Sequence, residues 1–314
     1  MLNREDLVRI SDACKAIGNE VADENGFVHV RDLLARFNAN LIMRPMLVEG
    51  MLASVDSVSG NIDGGRWAVL IDSETYQLSE QQIKTESHER PLPSRFRNTV
   101  AHELVHSLAF RPSEFGIRLR SQSDSKVSLN YLVQEIEKET ERFSPLLLWP
   151  DKALAKMLAG KECSLSVEEL RWAYRSMGIS RYVMINRLCL ISPTDDAGFR
   201  YRSGLKNIAI GIGEWLDGRN AVFKRWPLFL NFDRNIVPEF LHKLLRQDRL
   251  PANVAIPDTA FSMCGGVNNV VEFVANAGST ANPAAERMGI VCSIENVERK
   301  LGSEFLYVIH KRKE

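Results

Sequence analysis

Apolar residues recur at three- and four-residue intervals through the start of the chain. Leu7, Ile10, Cys14, Ile17 and Val21 form the stripe of an amphipathic helix, which Gly26 ends. A shorter helix is predicted over residues 28–37. Across 39–55 the apolar positions alternate loosely with polar ones and Pro45 interrupts, which predicts short extended segments. Residues 57–65, rich in Ser, Gly, Asn and Asp, predict a turn, and 67–72 a strand.

After Pro91 and Pro93 the helical period returns over 94–110, closed by Pro112 and Gly116. A further helix is predicted over 127–142, ending before Pro145 because proline cannot donate to the helix ladder. An antiparallel sheet with packed helices is therefore expected for this first region. Residues 164–190 read as helix, turn, helix: Ser166 and Glu169 have capping-box spacing, and Ser180 can cap the second helix. Residues 193–198 read as a linker. Beyond it, strands are predicted at 207–212, 222–232, 289–294 and 305–310, with a helix near 238–246. The pattern is α+β throughout. Three segments are expected: 1–160, a helix-turn-helix-like module at 161–192, and a C-terminal α+β domain at 193–314.

At 314 residues the chain is long enough for more than one core, and its 45% apolar and 25% charged residues exclude general disorder. Lys plus Arg and Asp plus Glu are equal at 40 each, so net charge implies no partner. Five scattered cysteines lack the spacing of a zinc knuckle or redox pair, which predicts free thiols in a reducing compartment. The first residues lack a signal-peptide layout and no run is long enough to span a bilayer. A cytoplasmic protein without membrane contact is the expectation.

The chemistry concentrates in His102-Glu103-Leu104-Val105-His106. Histidines four apart on a helix share a face, so both imidazoles can reach one ion. Glu103 lies about 100° round the helix from His102, better placed to act on a water held by the metal than to ligate. Zinc lowers the pKa of such a water to about 7, and a neighbouring carboxylate can take its proton. Val100, Leu104 and Leu108, with Ala101 and Val105, fill the opposite apolar arc. The pentapeptide also occurs by chance on solvated helices, but here it sits between apolar neighbours. A third ligand is needed, and Glu135, Glu137, Glu139 and Glu141 are all available. Spacing does not choose among them. His29, His88, His242 and His310 stand alone and read as structural.

The stretch from Arg95 to His106 resembles the Arg-Phe-Thr-x-Ala-His-Glu-Leu-Gly-His core of the ImmA/IrrE metallopeptidases. Residues 137–150, from Glu137 through Phe143 to Leu146-Leu-Leu-Trp-Pro150, look like that family's second motif. The resemblance covers roughly 60–190. It implies a zincin-like metallopeptidase domain, zinc held by His102, His106 and Glu137, and Glu103 as catalytic base. Val105 stands for the usual Gly, Thr140-Glu141 for Ala-Asn, and Ser144-Pro145 for Ala-Ala; Glu141 is the reserve ligand. The resemblance further implies a helix-turn-helix repressor as substrate in a stress, DNA-damage or phage-defence response. It also implies a GAF-like C-terminal sensor domain, activated by single-stranded DNA or a small ligand. The alternative is a DNA-binding or ligand-sensing regulator whose metal site is non-catalytic.

Two other patches carry possible chemistry. Arg181, Asn186 and Arg187 lie on the second helix of the 164–190 pair, where docking onto the first domain competes with DNA reading. Arg219, Phe223, Lys224, Arg225 and Trp226 interleave cations with rings, a composition that can track phosphates and stack bases. Of these, Arg219, Lys224, Arg225 and Trp226 are the candidate nucleic-acid or ligand contacts. Cys264 beside Gly265-Gly266 is a turn next to a thiol.

Overall fold

The computed structural model describes residues 4–54, 67–109, 126–158, 165–189, 207–216, 220–224, 254–255, 270–274, 290–295, 297–298 and 300–311. The chain divides into two compact units. One comprises Met1–Met157 with Arg175–Arg187, and the other Leu158–Tyr174 with Leu188–Glu314.

In the first unit, α1 (Arg4–Val21) buries Ile10, Cys14 and Ile17, the predicted stripe, and packs on α6 (Lys126–Leu148). Helix α2 (Val30–Arg36) follows. Strands β1 (Ala39–Arg44), β2 (Gly50–Ser54) and β3 (Trp67–Asp72) form a sheet of order β1-β3-β2. The sheet is mixed and not antiparallel as expected: β1 runs parallel to β3, and β2 antiparallel. The reason lies at the end of β3. The chain between β1 and β2 crosses there, where Met46 N–H donates to Asp72 Oδ1 at 3.0 Å and Asp72 N–H to the Glu49 carbonyl at 3.0 Å. A hairpin between β1 and β2 is thereby excluded.

Asp72 also caps α3 (Ser73–Tyr76), and Ser79 caps α4 (Glu80–Lys84) with a full capping box. Helix α5 (Ser94–Ala109) lies against β2, β3 and α6, burying Phe96, Val100, Ala101, Leu104 and Val105. Its first turn is anchored by Arg97, which is fully buried. Arg97 pairs with the buried Glu86, donates to the carbonyls of Val28 (2.8 Å) and Met177 (3.2 Å), and sits over the Phe27 ring.

Helix α6 does not stop before Pro145; it continues to Leu148 with the proline inside. Proline deprives the Glu141 carbonyl of its usual donor. Ser144 Oγ donates to that same oxygen at 3.4 Å, so the loss is partly repaired within the helix. The continuation lets Phe143, Leu146, Leu147, Leu148 and Trp149 all reach the core. Helix α7 (Asp151–Leu158) follows.

Helix α8 (Val167–Ser176) starts with the predicted Ser166–Glu169 box, both of whose bonds are present at 2.8 and 3.2 Å. Ser180 Oγ accepts from Val183 N–H at the start of α9 (Arg181–Cys189). On α9, Arg187 is buried, donates to the Trp149 carbonyl at 2.7 Å and pairs with Asp151. Its guanidinium is committed inside the first unit.

The second unit carries a six-stranded antiparallel sheet of order β6-β5-β4-β9-β8-β7. Its strands are β4 (Asn207–Trp215), β5 (Asn220–Lys224), β6 (Val254–Ala255), β7 (Val270–Val274), β8 (Ile290–Glu295) and β9 (Glu304–Lys311). Two three-stranded meanders are joined by pairing of the first and last strands. Across that pair Gly211 opposes Tyr307 and Gly213 opposes Phe305, and the rings lie over the glycines where a Cβ would overlap them. Glu295 is buried beside Tyr174, which donates to it at 2.8 Å, and Arg171 at 3.5 Å. Both units are α+β. Among the described residues no helix is long and apolar enough to cross a membrane. The readings for 57–65, 193–198 and 238–246 lie outside the described residues, as does Cys264.

Candidate metal centre

Helix α5 presents His102 and His106 one turn apart, and α6, packed beside it, brings Glu137 to meet them. Ile136, Thr140 and Phe143 bury the inner face of α6, which fixes Glu137 at the rim of the helix pair. His102 Nε2 stands 3.2 Å from His106 Nε2 and 3.0 Å from Glu137 Oε2, and His106 Nε2 is 3.3 Å from Glu137 Oε1. These three residues form a group that could hold a metal ion. Ligands about 2.0–2.1 Å from a tetrahedral ion are separated by about 3.3 Å, so the spacing fits one. The donor set, two imidazole nitrogens and a carboxylate, suits such an ion as well.

The sequence left four glutamates open for the third position. Glu137 is the one beside the histidines. Glu139 instead pairs with Arg142 at 3.2 Å, Glu141 is exposed, and the side chain of Glu135 lies outside the described residues.

Glu103 is buried at the same level of α5. Burial, and then the nearby charge of Glu137, push its carboxyl up to about 7, against a hydrogen bond from the Leu52 N–H. Burial, reinforced by His102 and opposed by Glu137, pulls His106 down to about 4. Both trends have burial as their first cause, which penalises the charged form of each side chain. Neutral imidazole is the form that ligates a metal.

Strand β2 approaches this group closely. A Cβ on Gly50 would stand 2.6 Å from Thr99 Cγ2 and 3.0 Å from Glu103 Oε1, so a side chain there would crowd the strand against the Thr99–Glu103 turn of α5. A polar cluster fastens the same junction: Tyr76 donates to Glu49 Oε2 at 3.1 Å and lies 2.8 Å from Thr99 Oγ1, while Arg95 pairs with Glu49. Neither Gly50 nor Tyr76 was anticipated from sequence, since nothing in their local pattern marks them.

The second proposed patch stands differently. Lys224 is the last residue of β5, opposite Ile212 of β4. Arg219, Arg225 and Trp226 lie outside the described residues.

Comparison with family models and with curated proteins gives no match. Among solved structures, the chain aligns with a Mycobacterium tuberculosis transcriptional regulator at 11% identity and a TM-score of 0.43. The alignment covers 96% of this chain and 75% of that one. At that similarity neither the fold nor the role of that protein transfers to this chain.

Proposed function

We propose that the chain is a zinc-dependent endopeptidase whose first unit is a zincin-like catalytic domain. What supports this reading is the buried Glu103 carboxylate beside the converging His102, His106 and Glu137. A purely structural metal site has no use for such a base. The ion, when bound, supplies Lewis acidity that polarises a peptide carbonyl and acidifies water.

The protein groups do the rest. His102, His106 and Glu137 hold the ion, with zinc the choice because its preferred ligands match this set. Glu103, with a proton affinity near neutral, takes a proton from the attacking water and delivers it to the leaving nitrogen as the C–N bond breaks. The Leu52 N–H keeps the carboxylate aimed.

The substrate we propose is a helix-turn-helix transcriptional repressor, cut in a stress, DNA-damage or phage-defence response. That part rests on the ImmA/IrrE resemblance of residues 95–106 and 137–150. The second unit is then the sensor, GAF-like, with Arg219, Lys224, Arg225 and Trp226 as contacts for single-stranded DNA or a small ligand.

The test is incubation of the zinc-loaded chain with the repressor encoded beside it, read by mass spectrometry. A single defined cut is expected from the native protein. Glu103→Gln should keep its zinc and slow that cut by about 10²–10⁴-fold. Equal cutting by this variant would refute Glu103 as the base.

A further inference from the structure

Thr140 lies on α6 one turn beyond Glu137 and is buried. Its Oγ1 is 2.8 Å from the Ile136 carbonyl and 3.4 Å from His106 Nδ1. A carbonyl oxygen only accepts, so the single hydroxyl proton of Thr140 goes to Ile136, the usual back-bond of a helical threonine. Toward His106 the oxygen therefore has only lone pairs to offer, and the matching partner is an Nδ1–H. A neutral imidazole protonated on Nδ1 carries its free lone pair on Nε2. That is the atom facing His102 and Glu137.

The geometry points to Thr140 as a positioning residue of the metal site: its hydroxyl fixes the His106 tautomer and ring orientation so that Nε2 is presented to the ion. One turn of α6 thus supplies both a ligand, Glu137, and the group that orients another ligand. Nothing in the sequence reading assigned this residue a role; it appeared there only as a departure from the ImmA/IrrE pattern. The same line of bonds ties His106 to the backbone of α6 through Ile136, so the ring is held against the neighbouring helix.

This inference rests on the proposed metal site, and the experiment separates the two. Full-length protein labelled with ¹⁵N-histidine, metal-free at pH 7.5, reports the ring tautomers, and competition against a chromophoric chelator reports zinc affinity. The native protein should show His106 protonated on Nδ1. Thr140→Val, equal in shape but without the acceptor, should lose that tautomer and weaken zinc binding roughly 10- to 100-fold, the usual cost of an outer-shell partner. Thr140→Ala should match it, and Thr140→Ser should restore both readouts. Circular dichroism melts confirm that each variant is folded. Unchanged tautomer and affinity in Thr140→Val overturns the proposal. So does a serine variant as weak as the valine one, because packing of the methyl group would then explain the loss. Zinc binding by the native protein no tighter than by His102→Ala/His106→Ala overturns the metal site itself, before any substitution at Thr140 is considered.

Discussion

His102 Nε2 and Glu137 Oε2 stand 3.0 Å apart although 35 residues separate them in the chain. The pairing exists because α5 and α6 pack side by side. The two helices so joined make a clamp: each contributes part of a group that could hold a metal ion, and neither could assemble it alone.

The clamp predicts a ranking of metal affinities. His102→Ala, His106→Ala and Glu137→Ala should each weaken zinc binding by more than the roughly 10- to 100-fold typical of outer-shell losses. Glu139→Ala and Glu141→Ala should leave it unchanged. Chelator competition with elemental analysis measures this, and a loss at Glu141 equal to that at Glu137 would contradict the assignment.

Gly50 offers a steric prediction. A methyl group there must push β2 away from Thr99 and Glu103. Gly50→Ala should cost about 1–3 kcal/mol in urea unfolding, the range for overpacking. Under the proposed mechanism it should retain zinc while cleavage falls, since the proposed ligands lie on α5 and α6 but the strand lies against Glu103.

Much of this group is legible in the sequence. His102, Glu103 and His106 announce themselves because their spacing matches one helix turn and an apolar arc lies opposite. Glu137 was not separable from Glu135, Glu139 and Glu141 by spacing, because four carboxylates on one helix cover two faces and only the packing of α6 on α5 selects one. The Ser166–Glu169 box was readable because capping is local. The parallel pairing of β1 with β3 was not, because it depends on Asp72 gripping a crossing segment from 26 residues away. Pro145 misled for a related reason: its missing amide is offset by a side chain, Ser144. Short elements such as β6 and α3 carry too few residues to leave a periodic signature.

The buried pair of Arg97 and Glu86 predicts asymmetry between single and double variants. Arg97→Met strands a buried carboxylate and should cost about 3–5 kcal/mol. Adding Glu86→Leu should recover part of that loss, because no uncompensated charge then remains inside. Denaturant melts of the three variants test it, and a double variant weaker than the sum of its parts would refute the pairing.

Cys14 gives a pH prediction. Burial pushes its thiol up to about 12, whereas an unfolded thiol ionises near pH 8.5–9. Its contribution to stability is complete below the unfolded value. Between there and pH 12 the native state holds a proton that the unfolded chain has released, so stability falls as pH rises. By pH 10 the loss should be ~1–2 kcal/mol. The slope, measured as urea midpoints across pH 8–10, should be shallower in Cys14→Ala, and peptide mapping should find Cys14 unalkylated in folded protein at pH 8.

The interleaving of the two units bears on how the protein is made. Residues 175–187 complete the unit that begins at the N-terminus, though 158–174 belong to the other. A nascent chain that has emerged only through residue 157 still lacks the Met177 carbonyl that accepts from Arg97 and the Arg187 guanidinium that donates to the Trp149 carbonyl. At ordinary translation speeds the missing stretch takes roughly 1.5–6 s to appear. For that interval a ribosome-bound chain holds His102, His106 and Glu137 yet not the whole of the unit around them, and a gene cut after residue 157 would freeze it in that state.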